Sequence, residues 1–161
     1  MTTPNPEGSV QVSVVLPAYN EVDYLQPAVE KTIQTLNLFA QSYEVLIAED
    51  GSTDGTAERS EELAQQNPKV RHIHREKRLG RGTALKNAFN HSSGEVLVYM
   101  DLDLATDLKY LKPLVEAITV EGYDFSTGSR MLRESKAERT ASRSIAMLMA
   151  NTVRAAEMTL R

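Results

Sequence analysis

Apolar residues recur along this chain with two different periods. Val10–Leu16 (VQVSVVL), Tyr43–Ala48 (YEVLIA), Val70–His74 and Val96–Met100 are short runs rich in β-branched residues, the composition of buried strands. Between the first two, Val22, Leu25, Val29, Ile33, Leu36 and Phe39 recur at three- and four-residue steps, the stripe of an amphipathic helix. Asn20 or Asp23 can cap that helix, and Pro27 is tolerable only near its first turn. A second helix opens after the dense turn Glu49–Thr56 and ends near Asn67–Pro68, and a third runs over 83–91, after which Gly94 breaks the chain. A fourth helix is expected over 108–121, capped by Thr106 or Asp107 with Pro113 early in it, followed by a fifth short strand at 124–129. Strict alternation of strand and helix predicts an α/β fold: a doubly wound, mostly parallel sheet with helices on both faces.

The ends differ from this body. Residues 1–9, with two prolines and small polar side chains, are expected to form a flexible leader, and 10–161 a single domain. Residues 131–140 read as a polar loop, and 141–161 as one helix carrying Ile145, Leu148, Met149, Val153 and Met158. That pattern runs to Arg161 without a glycine or proline stop, as in a domain truncated at its C-terminus. The terminal helix either closes the core or lies against a membrane surface, its methionines adapting to lipid.

Composition narrows the classes. The chain has 161 residues, 25% charged and 41% hydrophobic, as in one ordinary globular domain. Cysteine is absent, which excludes disulfides and thiolate metal sites and fits a cytoplasmic location. No apolar run approaches the roughly 20 residues that span a bilayer, and the first residues lack a signal-peptide core. A net charge of −4 argues against a nucleic-acid partner. The charge is uneven: residues 129–161 hold seven Arg and Lys against three Glu, while 1–128 hold eleven against nineteen acids. A basic end on an acidic body points to an anionic partner there.

The candidate chemistry lies where the fourth strand runs out, at Asp101-Leu102-Asp103. Burying an unpaired carboxylate is very unfavourable, so both acids belong at the strand's exit, the edge where open α/β sheets bind ligands. Alternate residues of an extended chain point the same way, so the two acids face one site if the extension persists. Two hard oxygen donors suit Mg²⁺ or Mn²⁺ completed by water and phosphate. Alone, the tripeptide more often just ends a strand and caps the next helix. His72 and His74 on a strand and His91 at a helix end are read as non-ligands.

Four loops follow four strands on one edge: PAYNE, EDGSTDGT, RLGRG and DLDLAT. In this order they resemble the inverting GT-A glycosyltransferases of family 2, and within them the polyprenyl-phosphate (dolichol-phosphate) mannose and glucose synthases, over roughly Val10 to Arg154. The resemblance implies a GT-A fold in which Pro17, Ala18, Tyr19 and Glu21 line the base and ribose and Asp50 contacts the base. Glu49 stands where many members have Asp. Gly51, Ser52 and Gly55 shape the turn, and Thr53 and Asp54 read as helix caps. Arg81, in Gly80-Arg81-Gly82 ahead of Ala84-Leu85, would reach phosphate or ribose from a helix start. Asp101 and Asp103 match the carboxylates that hold metal and sugar nucleotide, with the bulkier Leu102 in place of the usual Ala. Ala105 stands where some mannose synthases place a glutamine ligand. The segment is closer to the Asp-Ala-Asp-Gly-Ala-Thr of glucose synthases. Arg130, in Gly128-Ser129-Arg130, and Arg143 match arginines that hold an acceptor phosphate, Asn151 keeps that pattern, and Met147 replaces its serine.

The implied reaction moves glucose or mannose from UDP-glucose or GDP-mannose to a polyprenyl or dolichyl phosphate, with inversion, at the cytoplasmic face of a membrane. A phosphate acceptor is already anionic and needs no general base, whereas a hydroxyl does. Other readings are a family 2 transferase acting on a hydroxyl, an inactive nucleotide-sugar-binding module, and a nucleotidyltransferase. The last usually needs a glycine-rich phosphate loop, which PAYNE is not.

Overall fold

The computed structural model describes residues 10–128. Four parallel strands, β1 (Val10–Ala18), β2 (Tyr43–Glu49), β3 (Val70–Ile73) and β4 (Gly94–Tyr99), lie in the order β3-β2-β1-β4. Helices α1 (Val22–Leu36), α2 (Thr56–Gln66) and α3 (Arg81–His91) connect them, and α4 (Leu111–Thr119) follows a single 3₁₀ turn at Leu108–Tyr110. The first two crossovers step outward from β1 and the third returns to its other side, so β1 and β4 flank the point where strand order reverses.

Side-chain alternation along the central strands builds two apolar layers. Val12, Val14 and Leu16 of β1 pack with Val45 and Ile47 of β2 against Leu25, Val29 and Leu36 of α1, Leu63 of α2 and Val115 of α4. The opposite face sets Val15, Leu46 and Ala48 against Ala84 and Ala88 of α3. Strands covered on both faces read as continuous apolar runs, which is why β1 and β2 stand out in the sequence.

Several expectations need correction. Residues 124–128 form no strand; a strand exists only with a ladder partner, and here the Ser126 hydroxyl donates to the Leu114 carbonyl at 2.7 Å instead. The fourth helix opens at Leu108 as a 3₁₀ turn capped by Asp107, which accepts from the Lys109 amide at 3.0 Å, and becomes α-helical only at Leu111. Resetting it at Leu111 puts Pro113 in the first turn, where its missing N–H costs nothing. Gly94 opens β4, facing Val10, rather than breaking the chain. Pro27 lies in the second turn of α1, which continues through it. Neither Asn20 nor Asp23 caps α1. The Asp54 carboxylate accepts from the Val22 amide at 3.2 Å and the Thr56 hydroxyl accepts from the Glu21 amide at 2.9 Å, so the next loop supplies the cap. Residues 1–9 and 129–161 lie outside the described residues, and with them the leader, the 131–140 loop and the terminal helix.

A buried acid ties the strands together. Glu44 accepts from the Ser13 hydroxyl at 2.6 Å, the Ser93 amide at 2.6 Å and the Arg71 guanidinium at 2.7 Å, and Arg71 also donates to the His91 carbonyl ending α3. Burial pushes the Glu44 carboxyl up, but hydrogen bonds from Ser13, Ser93 and Arg71 and the Arg71 charge outweigh it and hold it below 4.5. A lowered native value means the unfolded chain takes up the proton first on acidification. The stability Glu44 contributes is therefore present above pH 4.5 and is lost as pH falls through its lower native value. Glu44→Gln turns an amide N–H₂ toward these donors. It is expected to cost about 2 kcal/mol at pH 7 and to flatten the acid limb of stability in urea unfolding between about pH 3 and 6.

Candidate functional site

Strand order dictates where the cleft lies. The chain leaving β1 crosses to β2 on one side, while β4 pairs with β1 on the other, so strand order reverses there and a crevice opens at the carboxyl ends of β1 and β4. A cavity of about 360 Å³ sits there, lined by Pro17, Ala18, Tyr19 and Glu21 after β1, by Asp50 after β2, by Arg78 and Arg81 from the loop before α3, and by Asp101, Leu102 and Asp103 after β4. The structure thus brings together every described residue that the sequence marked for nucleotide or metal. Arg130 and Arg143 lie outside the described residues.

Asp101 and Asp103 reach the cavity by a different route from the one expected. Extension does not persist: after Met100, whose amide donates to the Val15 carbonyl at 3.2 Å, the chain turns. The Leu104 amide donates to the Asp101 carbonyl at 3.3 Å, and Leu104 takes a left-handed φ of 49°. The Asp103 carboxylate accepts from the Ala105 amide at 2.9 Å, which locks the turn. Leu102 between them is buried in the main core, anchoring the turn while both acids stay exposed.

Charge is balanced across the cleft. Arg81, in the first turn of α3, pairs with Asp101 and lies 5.9 Å from the Tyr99 ring centroid. Glu21 faces the same space. Burial pushes its carboxyl up, a hydrogen bond from the Tyr19 backbone opposes this, and the charges of Asp101 and Asp103 raise it further against Arg81; the net value is above normal. Asp101 and Asp103 bring hard oxygen donors of the kind a divalent cation takes to this cavity, with the guanidinium groups of Arg78 and Arg81 set against them.

The wall formed by the loops after β1 and β2 is held by loop-to-loop bonds. Asn20, at φ 54°, accepts from the Thr53 amide at 2.8 Å and donates its own amide to the Ser52 hydroxyl at 3.1 Å. Asp54 accepts from the Thr56 amide at 3.0 Å as well as from Val22, while Gly55, not Thr53 or Asp54, holds the N-cap position of α2. Gly51, at φ 72°, leaves room for the 77–78 backbone: a Cβ there would lie 2.7 Å from the Arg78 amide nitrogen.

Asp50 is buried, and its two oxygens accept from the Leu79 amide at 3.0 Å and the Gly80 amide at 2.7 Å. It fastens the arginine loop to the end of β2, and each oxygen keeps a second lone pair for the cavity. Arg78, absent from the sequence reading, stacks its guanidinium 3.7 Å from the Tyr19 ring centroid. The basic loop was visible in the sequence, but which of its cations turns inward depends on Tyr19, some sixty residues earlier.

Comparison with known proteins gives a consistent picture. Residues 13–158 match the family described as Glycosyl transferase family 2. Glycosyltransferase AglD of Haloferax volcanii is 46% identical over 138 residues, covering 84% of this chain and 22% of that protein. A dolichol-phosphate mannosyltransferase of Pyrococcus furiosus is 36% identical over 132 residues, covering 80% of this chain and 36% of its own length. The chain therefore spans about a fifth to a third of these two relatives. Among solved structures, the mannosyltransferase PcManGT of Pyrobaculum calidifontis, in complex with GDP-Man and Mn²⁺, superposes with a TM-score of 0.52 at 28% identity, over 63% of this chain and 30% of that one.

Proposed function

The chain belongs to glycosyl transferase family 2 and has the GT-A fold, and from that premise we propose that it transfers a hexose from a nucleoside diphosphate sugar to a polyprenyl phosphate, inverting the anomeric centre. The observation that carries this reading is the meeting of Asp101, Asp103, Glu21 and Arg81 in one cleft at the strand-order reversal. Tyr19, Pro17, Ala18 and Asp50 form the wall for base and ribose, Leu102 underlies the acid turn, and Arg78 and Arg81 offer guanidinium forks to the pyrophosphate.

The donor set at Asp101 and Asp103 fits Mg²⁺ or Mn²⁺. Bound there, such an ion would neutralise charge developing on the departing nucleotide. PcManGT's complex with GDP-Man and Mn²⁺ supports that assignment. In the Arg81–Asp101 pair, the guanidinium balances the acid until a phosphate draws it away. Arg130 and Arg143 are assigned to the acceptor's phosphate, which attacks as an anion without a general base. The name of the Pyrococcus furiosus relative and the basic 129–161 segment support a phosphate on a polyprenyl carrier, and we assign the reaction to the cytoplasmic face of a membrane. Among the described residues no helix is long and apolar enough to cross a bilayer.

The test is transfer of radiolabel from UDP-glucose or GDP-mannose, with Mn²⁺, into an organic-extractable product. Label is expected with polyprenyl phosphate and not with the free polyprenol, and the product should release sugar in mild acid as a glycosyl phosphate does. Transfer to the polyprenol or to a saccharide would establish a hydroxyl acceptor and overturn the assignment. Metal-dependent binding of nucleotide sugar with no transfer would leave a binding module in place of an enzyme.

A further inference from the structure

Three metal-ligating side chains meet toward the carboxyl ends of β2 and β3, and none of them lines the cleft. Glu49 closes β2 with its side chain wholly buried; His72 lies in β3 and His74 one residue past its end. Register pairs Ile47 with His72, so the two-residue strand period brings Glu49 alongside His74 on the same face. One ligand atom from each of Glu49, His72 and His74 lies within 4.8 Å of the other two. His74 Nδ1 is 2.6 Å from Glu49 Oε2, and the Ser52 amide donates to Glu49 Oε1 at 2.5 Å.

His72 supplies the observation that points to a ligand. Its side chain is 7% exposed, and Nδ1 sits 3.2 Å from Glu61 Oε2 on α2. An ionised carboxylate only accepts, so Nδ1 carries the proton and the neutral ring's lone pair is on Nε2. That Nε2 is buried and has no hydrogen-bond partner. An imidazole gripped by a carboxylate through one nitrogen, with the other bare, is the way proteins orient a histidine for a metal.

We infer that Glu49, His72 and His74 form a zinc site, separate from the Asp101–Asp103 pair. Two imidazoles and one carboxylate are a recognised tetrahedral zinc set, with ligand atoms about 3.4 Å apart around the ion and a fourth position left for water. His74 gives up its hydrogen bond to Glu49 and both ligate instead; its side chain is 48% exposed, which provides the path of entry. The ion answers the charge of a carboxylate whose side chain is wholly buried. It ties β2 to β3 directly beneath the Ser52 turn and its neighbour Asp50. Nitrogen donors favour Zn²⁺ over Mg²⁺ and Mn²⁺, so the two sites sort different metals. Nothing in this assignment depends on the transfer reaction proposed above.

The experiment titrates chelator-stripped full chain with Zn²⁺ against a chromogenic chelator. The Asp101→Asn/Asp103→Asn and His72→Gln/His74→Gln double variants are run in parallel. Wild type and the aspartate variant are expected to bind one Zn²⁺ with a Kd of about 1 µM or tighter, and the histidine variant about 100-fold more weakly or worse. Zn²⁺ should also raise the unfolding temperature of wild type and leave that of the histidine variant unchanged. Should the histidine variant not fold, Co²⁺ in wild type decides: intense tetrahedral visible bands uphold the site, and an octahedral spectrum or none overturns it. Wild-type binding weaker than about 100 µM, or binding lost in the aspartate variant and kept in the histidine variant, also overturns it.

Discussion

Asp103→Asn is expected to remove Mn²⁺-dependent binding of UDP-glucose and GDP-mannose while leaving the fold intact. Asparagine has the shape of aspartate, and its carbonyl oxygen can still accept from the Ala105 amide, the bond that locks the 101–104 turn. Only the charge goes. Asp103 is exposed, so no buried partner is stranded and stability should change by less than about 0.5 kcal/mol. Binding should weaken at least about 100-fold, equivalent to about 2.7 kcal/mol, and turnover should fall by about 10²–10³. Calorimetric titration with and without Mn²⁺ measures the first effect. Equal metal-dependent affinity in wild type and variant would remove Asp103 from the site. Asp101→Asn is a useful companion, because it also frees Arg81. Both members of that pair are about half exposed, so its loss should barely move the unfolding midpoint.

Gly94→Ala should be the most damaging small substitution in the described residues. A Cβ at Gly94 would lie 2.5 Å from Ser13 Oγ and 2.9 Å from the Val12 carbonyl carbon, and closer still to the Ser13 amide nitrogen. Those neighbours are largely backbone in the central strand and cannot swing aside. The Gly94 amide donates to Ser13 Oγ at 2.8 Å and that hydroxyl donates to Glu44, so pushing β4 away also breaks the buried relay. A cost of about 3–5 kcal/mol follows from overpacking and a stranded buried acid together. Because β4 delivers Asp101 and Asp103, nucleotide-sugar affinity should fall with it. Urea unfolding provides the measurement, with Gly82→Ala as control. An added Cβ there meets nothing within 4 Å, and alanine in a helix is expected to be neutral or to add up to about 1 kcal/mol. Equal midpoints for the two variants would show that β4 can move off β1 without penalty.

The contrast between these substitutions shows what one-dimensional reading can reach. Asp103 was legible because a strand, its exit and two acids follow one another within ten residues. Gly94 was legible only as a breaker, because the close approach of Ser13 comes from a strand eighty residues away. The fifth strand was misread for the same reason: 124–128 has a tolerable local composition but no ladder partner among the described residues. Asp50 lines the cleft at the end of β2, yet its grip on Leu79 and Gly80 left no trace in the local pattern.

By itself the sequence determined the alternation of four strands with helices, the two apolar faces of the sheet and the four loops at one edge. Those properties are written in periods of two and of three to four residues, which any short window carries. Tertiary structure alone decided that Asp54 and Thr56 cap α1, that Glu44 is the knot joining Ser13, Ser93 and Arg71, that Arg78 covers Tyr19, and that Glu49, His72 and His74 converge. Apolar burial needs only the correct face, because the hydrophobic effect has no direction. A buried hydrogen bond or ion pair needs a particular atom at about 3 Å, and only the closed chain brings such an atom there.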